Sequence, residues 1–180
     1  MINMNDTRIR NLVEHFRTAI EKALNEGILK SDYIFKNFPK ACCGDTCYIL
    51  AEFLLSQGIE TIYVWGDYEG QSHAWLVVKD KRVKQPTQRV LKVPNEIKEV
   101  LDSYGCCTYN GWIDNTHYVE KDLLEGLIID ITADQFGEIP VYVDYIDDFH
   151  RKFKFESAHD YKGMGNSRLR DLYKKIILEK

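Results

Sequence analysis

The sequence predicts an α+β domain in which helices near both ends of the chain flank an antiparallel set of strands. Two observations favour this class. Apolar residues recur at helical spacing towards both ends, and the middle of the chain alternates short β-forming runs with turn-forming residues. The 180 residues are enough for one buried core, so we expect residues 1–180 to form a single domain.

Three packing helices are predicted. The first covers residues 7–27, and its apolar face consists of Ile9, Leu12, Val13, Phe16, Ile20 and Leu24. The second begins near Cys43 or Gly44, and its apolar positions are Cys47, Leu50, Ala51, Leu54 and Leu55. The third starts at a cap residue, Asn166 or Ser167, and buries Leu169, Leu172, Tyr173, Ile176 and Ile177.

Strand signals lie between these helices. The runs IETIYVWG and SHAWLVV are separated by the turn-forming stretch DYEGQ, and so short a gap predicts a hairpin. The runs GLIIDIT and IPVYVDYI follow later and indicate two more strands.

The segment at about residues 79–125 is mixed in character. Within it, PNEIKEVLDSYG resembles a short helix and CCTYNGWIDNTH has the composition of a loop. We interpret the segment as an insertion between paired strands. Loops carried on a rigid scaffold often determine specificity, so the insertion is a candidate lid or substrate-selecting surface.

Composition excludes several classes of function. The formal net charge is −4, the isoelectric point is about 5.8, and the sequence has no basic run, so nucleic acid is not an expected partner. We expect no membrane span and no secretory signal, because the first residues are charged and no apolar run approaches about 20 residues. These features predict a cytoplasmic protein with free thiols, although export by a non-classical route stays open.

Three of the five cysteines, Cys42, Cys43 and Cys47, crowd the start of the second helix. A thiol at a helix N-terminus is stabilised as thiolate by the macrodipole, and the free backbone N–H groups there can bind a developing oxyanion. Cys43 directly precedes Gly44, which leaves the approach to the sulfur open. We therefore predict that Cys43 is a nucleophile and that Cys47, one turn later, points into the core.

His73 and Asp130 are the predicted partners of this nucleophile. His73 opens the apolar run SHAWLVV, where a strand end can present an imidazole to a helix start; a lone histidine at such a place is also commonly structural. Asp130 interrupts an apolar run, where a carboxylate is costly unless it is paired. Asp130 either orients the His73 ring or merely ends its strand in a turn with Thr132.

The stretches FPKACCGDTCYILAEFLL, SHAWLVV and GLIIDITADQF together resemble the papain-like and transglutaminase-like superfamily. They are most similar to an uncharacterised bacterial group with Cys-Gly-Asp, His-Ala-Trp and Asp-Ile-Thr-Ala-Asp-Gln-Phe motifs. The resemblance implies a catalytic helix packed on an antiparallel sheet, with Cys43 as nucleophile, His73 as base and Asp130 as orienter. Papain also has a glutamine shortly before its cysteine. Here Asn37 and Gln135 are the open candidates for the oxyanion hole or for substrate binding.

A Cys-His-Asp set carries out acyl transfer through a thioester. We favour hydrolysis of an amide in a protein or peptide, by a cysteine peptidase or a glutamine deamidase. The alternatives are a transglutaminase and a non-catalytic protein-binding module on the same fold.

No cofactor and no metal are expected. Cysteines that bind zinc are usually separated by two to four residues, whereas Cys42 is adjacent to Cys43 and Cys106 to Cys107. We predict that Cys106 and Cys107 contribute to loop packing. The other histidines are assigned no site: His15 and His150 lie in charged surroundings without an evident partner, and His117 and His159 lie in loop-like stretches.

Overall fold

The structure is a computed structural model that describes residues 4–85, 87–90 and 113–178. Within these ranges lie four α-helices, α1 (Met4–Asn25), α2 (Cys43–Ser56), α3 (Glu120–Leu123) and α4 (Ser167–Leu178). The strands are β1 (Thr61–Tyr68), β2 (Gln71–Val78), β3 (Thr87–Val90), β4 (Ile113–His117), β5 (Leu127–Asp130), β6 (Tyr142–Tyr145) and β7 (Lys154–Asp160). Short 3₁₀ turns occupy Phe35–Asn37, Ala133–Phe136 and His150–Lys152. The predicted α+β class is confirmed.

Five strands form one antiparallel sheet in the order β6-β5-β2-β1-β7, and β3 pairs with β4 in a separate two-stranded sheet. The predicted hairpin joins β1 to β2 through Glu69 and Gly70, whose φ angles are +53° and +77°. Two successive residues with positive φ are typical of the tight turns that match strand twist. Strand β5 lies beside β2 with Leu76 opposite Ile129, which brings the strands of His73 and Asp130 together.

The sheet separates two apolar clusters. On one face, Ala74, Leu76 and Ile129 pack with residues of α1, α2 and α4 in the larger cluster. On the other face, Trp75 and Val77 pack with aromatic residues that follow β6. Because side chains alternate across a strand, each strand contributes to both clusters. Cys43, the first residue of α2, contacts His73 near the start of β2, so the N-terminal end of α2 lies near the end of the sheet at which β2 begins.

The segment between β2 and β5 includes β3, β4 and α3 among the described residues. The loop predicted over residues 106–117 is wrong for its last five residues, which form β4 by pairing with β3. This stretch has little apolar alternation, so its strand depends on a partner that local pattern does not reveal. The predicted short helix PNEIKEVLDSYG lies outside the described residues, as do Cys106 and Cys107.

Strand β7 was not anticipated, and it places His159 in an edge strand rather than a loop. His117 likewise ends a strand, β4. Within the described ranges, no helix has both the length and the apolar character that a bilayer crossing requires.

Candidate active site

The N-terminus of α2 distinguishes three cysteines by their surroundings. Cys42 occupies the N-cap position and is buried; its thiol donates to the carbonyl of Pro39 at 3.2 Å. Burial raises the pKa of the Cys42 thiol to about 12, and burial also raises the pKa of Cys47 well above its ordinary value. Cys47 packs in the core as predicted. Of these three thiols, only that of Cys43, the first residue of α2, is not buried.

Gly44 follows Cys43 and lies under an aromatic side chain. A Cβ at this position would lie 3.2 Å from the hydroxyl oxygen of Tyr63, which is tighter than ordinary contact. The glycine therefore allows the Tyr63 hydroxyl to approach the start of the helix. The Cys42 sulfur accepts a hydrogen bond from the Thr46 hydroxyl at 3.5 Å but makes no capping hydrogen bond, so its side chain does not occupy the backbone N–H groups of the first turn.

His73 links the helix start to the sheet. Its Nε2 lies 2.7 Å from Asp130 Oδ2, its side chain is fully buried, and it also has a hydrogen-bonding contact with the Cys43 thiol. Burial alone would lower the pKa of His73, but the hydrogen bonds to Asp130 and Cys43 and the charges of both groups raise it to about 9. The imidazole therefore holds its proton at neutral pH, between a thiol and a carboxylate.

Asp130 is the last residue of β5 and is buried. Its Oδ1 accepts hydrogen bonds from the backbone N–H of Thr132 at 2.8 Å and from the Thr132 hydroxyl at 3.0 Å, while Oδ2 faces His73. Burial would raise the pKa of Asp130, yet the neighbouring imidazoles of His150 and His73 hold it well below its ordinary value. One Asp130 oxygen thus closes the predicted turn with Thr132, and the other contacts His73.

Aromatic rings close the site on the side of the sheet away from α2. The ring of Phe136 meets His73 edge-on with centroids 4.9 Å apart, and that of Phe153 lies 5.2 Å away. The rings of Trp75 and Phe149 are each 6.0 Å from His73. This apolar wall excludes water from the His73–Asp130 pair and so strengthens their electrostatic interaction.

Gln135 is the amide side chain beside the site. Its Nε2 donates to the carbonyl of Thr132 at 3.0 Å and lies 3.4 Å from His73 Nδ1, while its Oε1 accepts from the N–H of Ala41 at 3.4 Å. It therefore connects the loop before Cys43 with the imidazole. Asn37, the other candidate, lies exposed in the Phe35–Asn37 turn.

Arg17 was not anticipated as part of the site. Although it lies in α1, its guanidinium is buried, and it donates to the carbonyl of Ile131 at 2.6 Å and to Asp134 at 2.8 Å. It also stacks over the ring of Phe38, with 4.4 Å between Cζ and the ring centroid. Arg17 thus fixes the segment that follows Asp130 and the loop that leads to Cys43. Its position four residues after Val13, on the apolar face of α1, was the available signal.

An ion-pair junction also connects the start of α2 to the C-terminal helix, α4. Arg168 of α4 donates to Asp45 in the first turn of α2 at 2.7 Å and to Asp32 at 2.7 and 2.8 Å. Because Asp45 lies two residues after Cys43, this junction fixes the helix start relative to the C-terminal helix.

His150 is the second residue that sequence reasoning missed. It was assigned no partner, but its buried ring lies with Nδ1 2.9 Å from Asp147 Oδ1 and Nε2 3.4 Å from Asp130 Oδ2. The acidic pair at 147 and 148 directly upstream was the only local signal. Donor atoms of His73, Asp130 and His150 all lie within 4.8 Å of one another, so these three residues are the group in the described chain that could hold a metal ion.

Comparisons of the chain with protein-family models, curated proteins and solved structures find no match. What the site does is therefore inferred from its own geometry. The structure brings together the three residues predicted from the sequence, Cys43, His73 and Asp130, at the point where α2 meets the ends of β2 and β5.

Proposed function

We propose that the protein is a thiol-dependent acyl-transfer enzyme that hydrolyses an amide of a protein or peptide substrate. The observation that carries this proposal is the arrangement of His73, which contacts the accessible thiol of Cys43 on one side and lies 2.7 Å from the buried carboxylate of Asp130 on the other. A nucleophile, a base and an orienting group in this sequence are the parts of a covalent acyl-transfer site.

In the proposed reaction the Cys43 sulfur attacks the amide carbonyl, and the thiol proton resides on His73. The C–N bond then breaks, His73 gives its proton to the departing amine, and an acyl thioester remains on Cys43. Water attacks the thioester while His73 takes a proton from it, which releases the carboxylic acid and restores the thiol. Asp130 keeps the imidazole oriented and stabilises its cationic form.

The first turn of α2 supports oxyanion binding. Its backbone N–H groups point towards the space in front of Cys43, the helix dipole favours negative charge there, and no side-chain cap from Cys42 competes for them. Gln135 supplies a further amide N–H next to His73. We propose that Gln135, and not the exposed Asn37, contacts the substrate carbonyl.

The fold supports the same proposal at a coarser level. A helix whose first residue is the accessible cysteine packs on an antiparallel sheet that carries His73 and then Asp130 in chain order. This order agrees with the papain-like and transglutaminase-like superfamily, and we propose that the domain has this core. The segment between β2 and β5 is then the proposed substrate-selecting insertion.

The proposal is tested by incubating the protein and its Cys43→Ala variant with a proteome and comparing the products by mass spectrometry. New peptide ends that depend on Cys43 establish a peptidase. A gain of about one mass unit on glutamine, as amide nitrogen is exchanged for oxygen, establishes a deamidase. Amine-linked adducts establish a transglutaminase and overturn hydrolysis. If neither cleavage, deamidation nor linkage exceeds the Cys43→Ala control, the enzyme proposal is wrong and a binding module replaces it.

A further inference from the structure

Tyr63 lies beside the nucleophile and has no role in the reaction described above. It belongs to β1, and its position opposite Leu76 of β2 places it on the face of the sheet that packs against α2. A Cβ added to Gly44 would lie 3.2 Å from the Tyr63 hydroxyl oxygen, so that oxygen is close to the residue that directly follows Cys43. The phenol therefore reaches the start of α2 without an assigned function.

The space beside Gly44 is otherwise open. Apart from Cys43, Asp45 and the backbone of α2, the only heavy atom of the described residues within 4 Å of that Cβ position is the Tyr63 oxygen. The Tyr63 hydroxyl makes no hydrogen bond to another described residue, and the residue is partly exposed. A hydroxyl carries one donor, which is normally paired with an acceptor in proteins. This donor is therefore free to bind a group that enters beside Cys43.

The Tyr63 ring is held in place by its neighbours. It stacks on the ring of His159 with centroids 4.9 Å apart, and it packs against the ring of Tyr48 with centroids 5.2 Å apart. The Tyr48 hydroxyl lies 3.3 Å from His159 Nε2, so these two neighbours also contact each other. Because β7, β1 and α2 each supply one ring, a movement of the phenol would disturb the packing of three elements. A donor held in this way needs no reorganisation when negative charge develops in front of it.

The phenol stays protonated in this setting. Burial raises the pKa of Tyr63 well above its ordinary value, and the neighbouring thiols of Cys47 and Cys43 raise it further. The influence of Cys43 agrees with the position of the hydroxyl beside Gly44. A neutral O–H that resists ionisation is suited to donate a hydrogen bond to an anion without giving up its proton.

We propose that Tyr63 is a further catalytic residue, whose hydroxyl donates a hydrogen bond to the carbonyl oxygen of the substrate as Cys43 attacks. In this step the S–C bond forms and the carbonyl π electrons move onto the oxygen. The Tyr63 O–H then binds the oxyanion together with Gln135 and the backbone N–H groups of the first turn of α2. When the C–N bond breaks, the carbonyl forms again and Tyr63 keeps its proton. The proposal rests on the proposed function, because it concerns the transition state of that reaction.

The test compares two reagents that react with the same thiol. p-Nitrophenyl acetate acylates a thiol through an oxyanion intermediate, whereas iodoacetamide alkylates it by direct displacement of iodide, without an oxyanion. The rates that depend on Cys43 are obtained by subtracting those of the Cys43→Ala variant. In Tyr63→Phe we expect acylation by the ester to be slower by about 10²-fold and alkylation by iodoacetamide to change by less than about twofold. Tyr48→Phe, whose lost hydroxyl faces His159, is the matched control and should leave both rates unchanged.

The outcomes distinguish this proposal from the proposed function. An unchanged ester rate in Tyr63→Phe overturns the proposal. Equal slowing with both reagents also overturns it, because the phenol would then act on the thiol rather than on the oxyanion. If p-nitrophenyl acetate does not acylate Cys43 even in the unmodified protein, the proposed function is wrong and this proposal is wrong with it.

A second experiment uses the contact between Gly44 and the phenol. The methyl group added by Gly44→Ala would lie 3.2 Å from the Tyr63 hydroxyl oxygen and displace it, so acylation by the ester should slow in this variant as well. Because both substitutions remove the same interaction, the double variant should react within about threefold of the slower single variant. Rate losses that multiply in the double variant would mean that the two residues act independently, and would overturn the proposal.

Discussion

Two imidazoles share one carboxylate in this protein, and their second partners differ. His73 and His150 are both buried, and each has Nε2 directed at Asp130 Oδ2, at 2.7 and 3.4 Å. The His73 side chain also contacts the accessible Cys43 thiol, whereas the Nδ1 of His150 faces Asp147. Burial and a carboxylate partner are thus common to both histidines and do not distinguish them. What distinguishes His73 is its position at the end of the sheet where α2 begins, which gives it contact with the Cys43 thiol.

The largest effect is expected from removing the group that the two histidines share. Asp130→Asn should lower turnover of an identified substrate by about 10⁴-fold, because the His73 ring loses its orienting acceptor. The same change leaves two buried imidazoles without their anion, so unfolding free energy should fall by about 3–5 kcal/mol. Chemical denaturation measures the second effect without any substrate. Asp148→Asn, an exposed carboxylate in the next loop, is the control, and similar losses in both variants would contradict the role of Asp130.

The pH dependence of the unfolding free energy tests the interaction between His73 and Asp130. The pKa of His73 is raised from 6.5 to about 9, so its contribution to stability is complete below pH 6.5 and is lost as pH rises towards 9. The pKa of Asp130 is lowered from 3.8, so its contribution is present above that pH and is lost in acid. Stability due to the pair should therefore be greatest between these limits.

The measurement is the difference in unfolding free energy between the unmodified protein and His73→Gln. That difference should shrink by about 3 kcal/mol between pH 6 and pH 9. A difference that stays constant across this range would mean that folding does not raise the pKa of His73.

A smaller effect is expected from the arginine that supports the site from α1. Arg17→Gln leaves Asp134 and the Ile131 carbonyl without their buried donor, which should cost about 2 kcal/mol of stability. Because Asp134 is adjacent to Gln135, substrate binding should weaken more than the chemical step. Arg8→Gln, on the same helix but exposed, should cost less than about 0.5 kcal/mol. Equal effects of the two substitutions, measured by thermal unfolding, would show that the Arg17 contacts are not needed.

Features that repeat along the chain were predictable from the sequence. The period of apolar residues revealed α1, α2 and α4 to within a few residues, and the hairpin of β1 and β2 followed from a turn between two β-forming runs. Asp130 stood out because a carboxylate inside an apolar strand needs a partner. Each of these signals is contained in a short window of sequence.

Features that depend on distant partners were not predictable in this way. Strand β7 lacks a strong alternation, and it forms because β1 offers an open edge far away in sequence. The acidic pair at 147 and 148 offers His150 a local partner, but it does not indicate that the ring turns inward against Asp130. Arg17 meets its acceptors more than 100 residues away, at Ile131 and Asp134. Non-local pairing of this kind is decided by the assembled fold.

The most direct test of the account is the order in which cysteines react with iodoacetamide at neutral pH, mapped by mass spectrometry at short times. We expect Cys43 to be labelled first, because Cys42 and Cys47 are buried and burial raises the pKa of both thiols. His73→Gln should slow labelling of Cys43 and leave the other cysteines unchanged. Early labelling of Cys42 or Cys47, or a Cys43 rate that does not respond to His73→Gln, would contradict the central claim that Cys43 and His73 act as a pair.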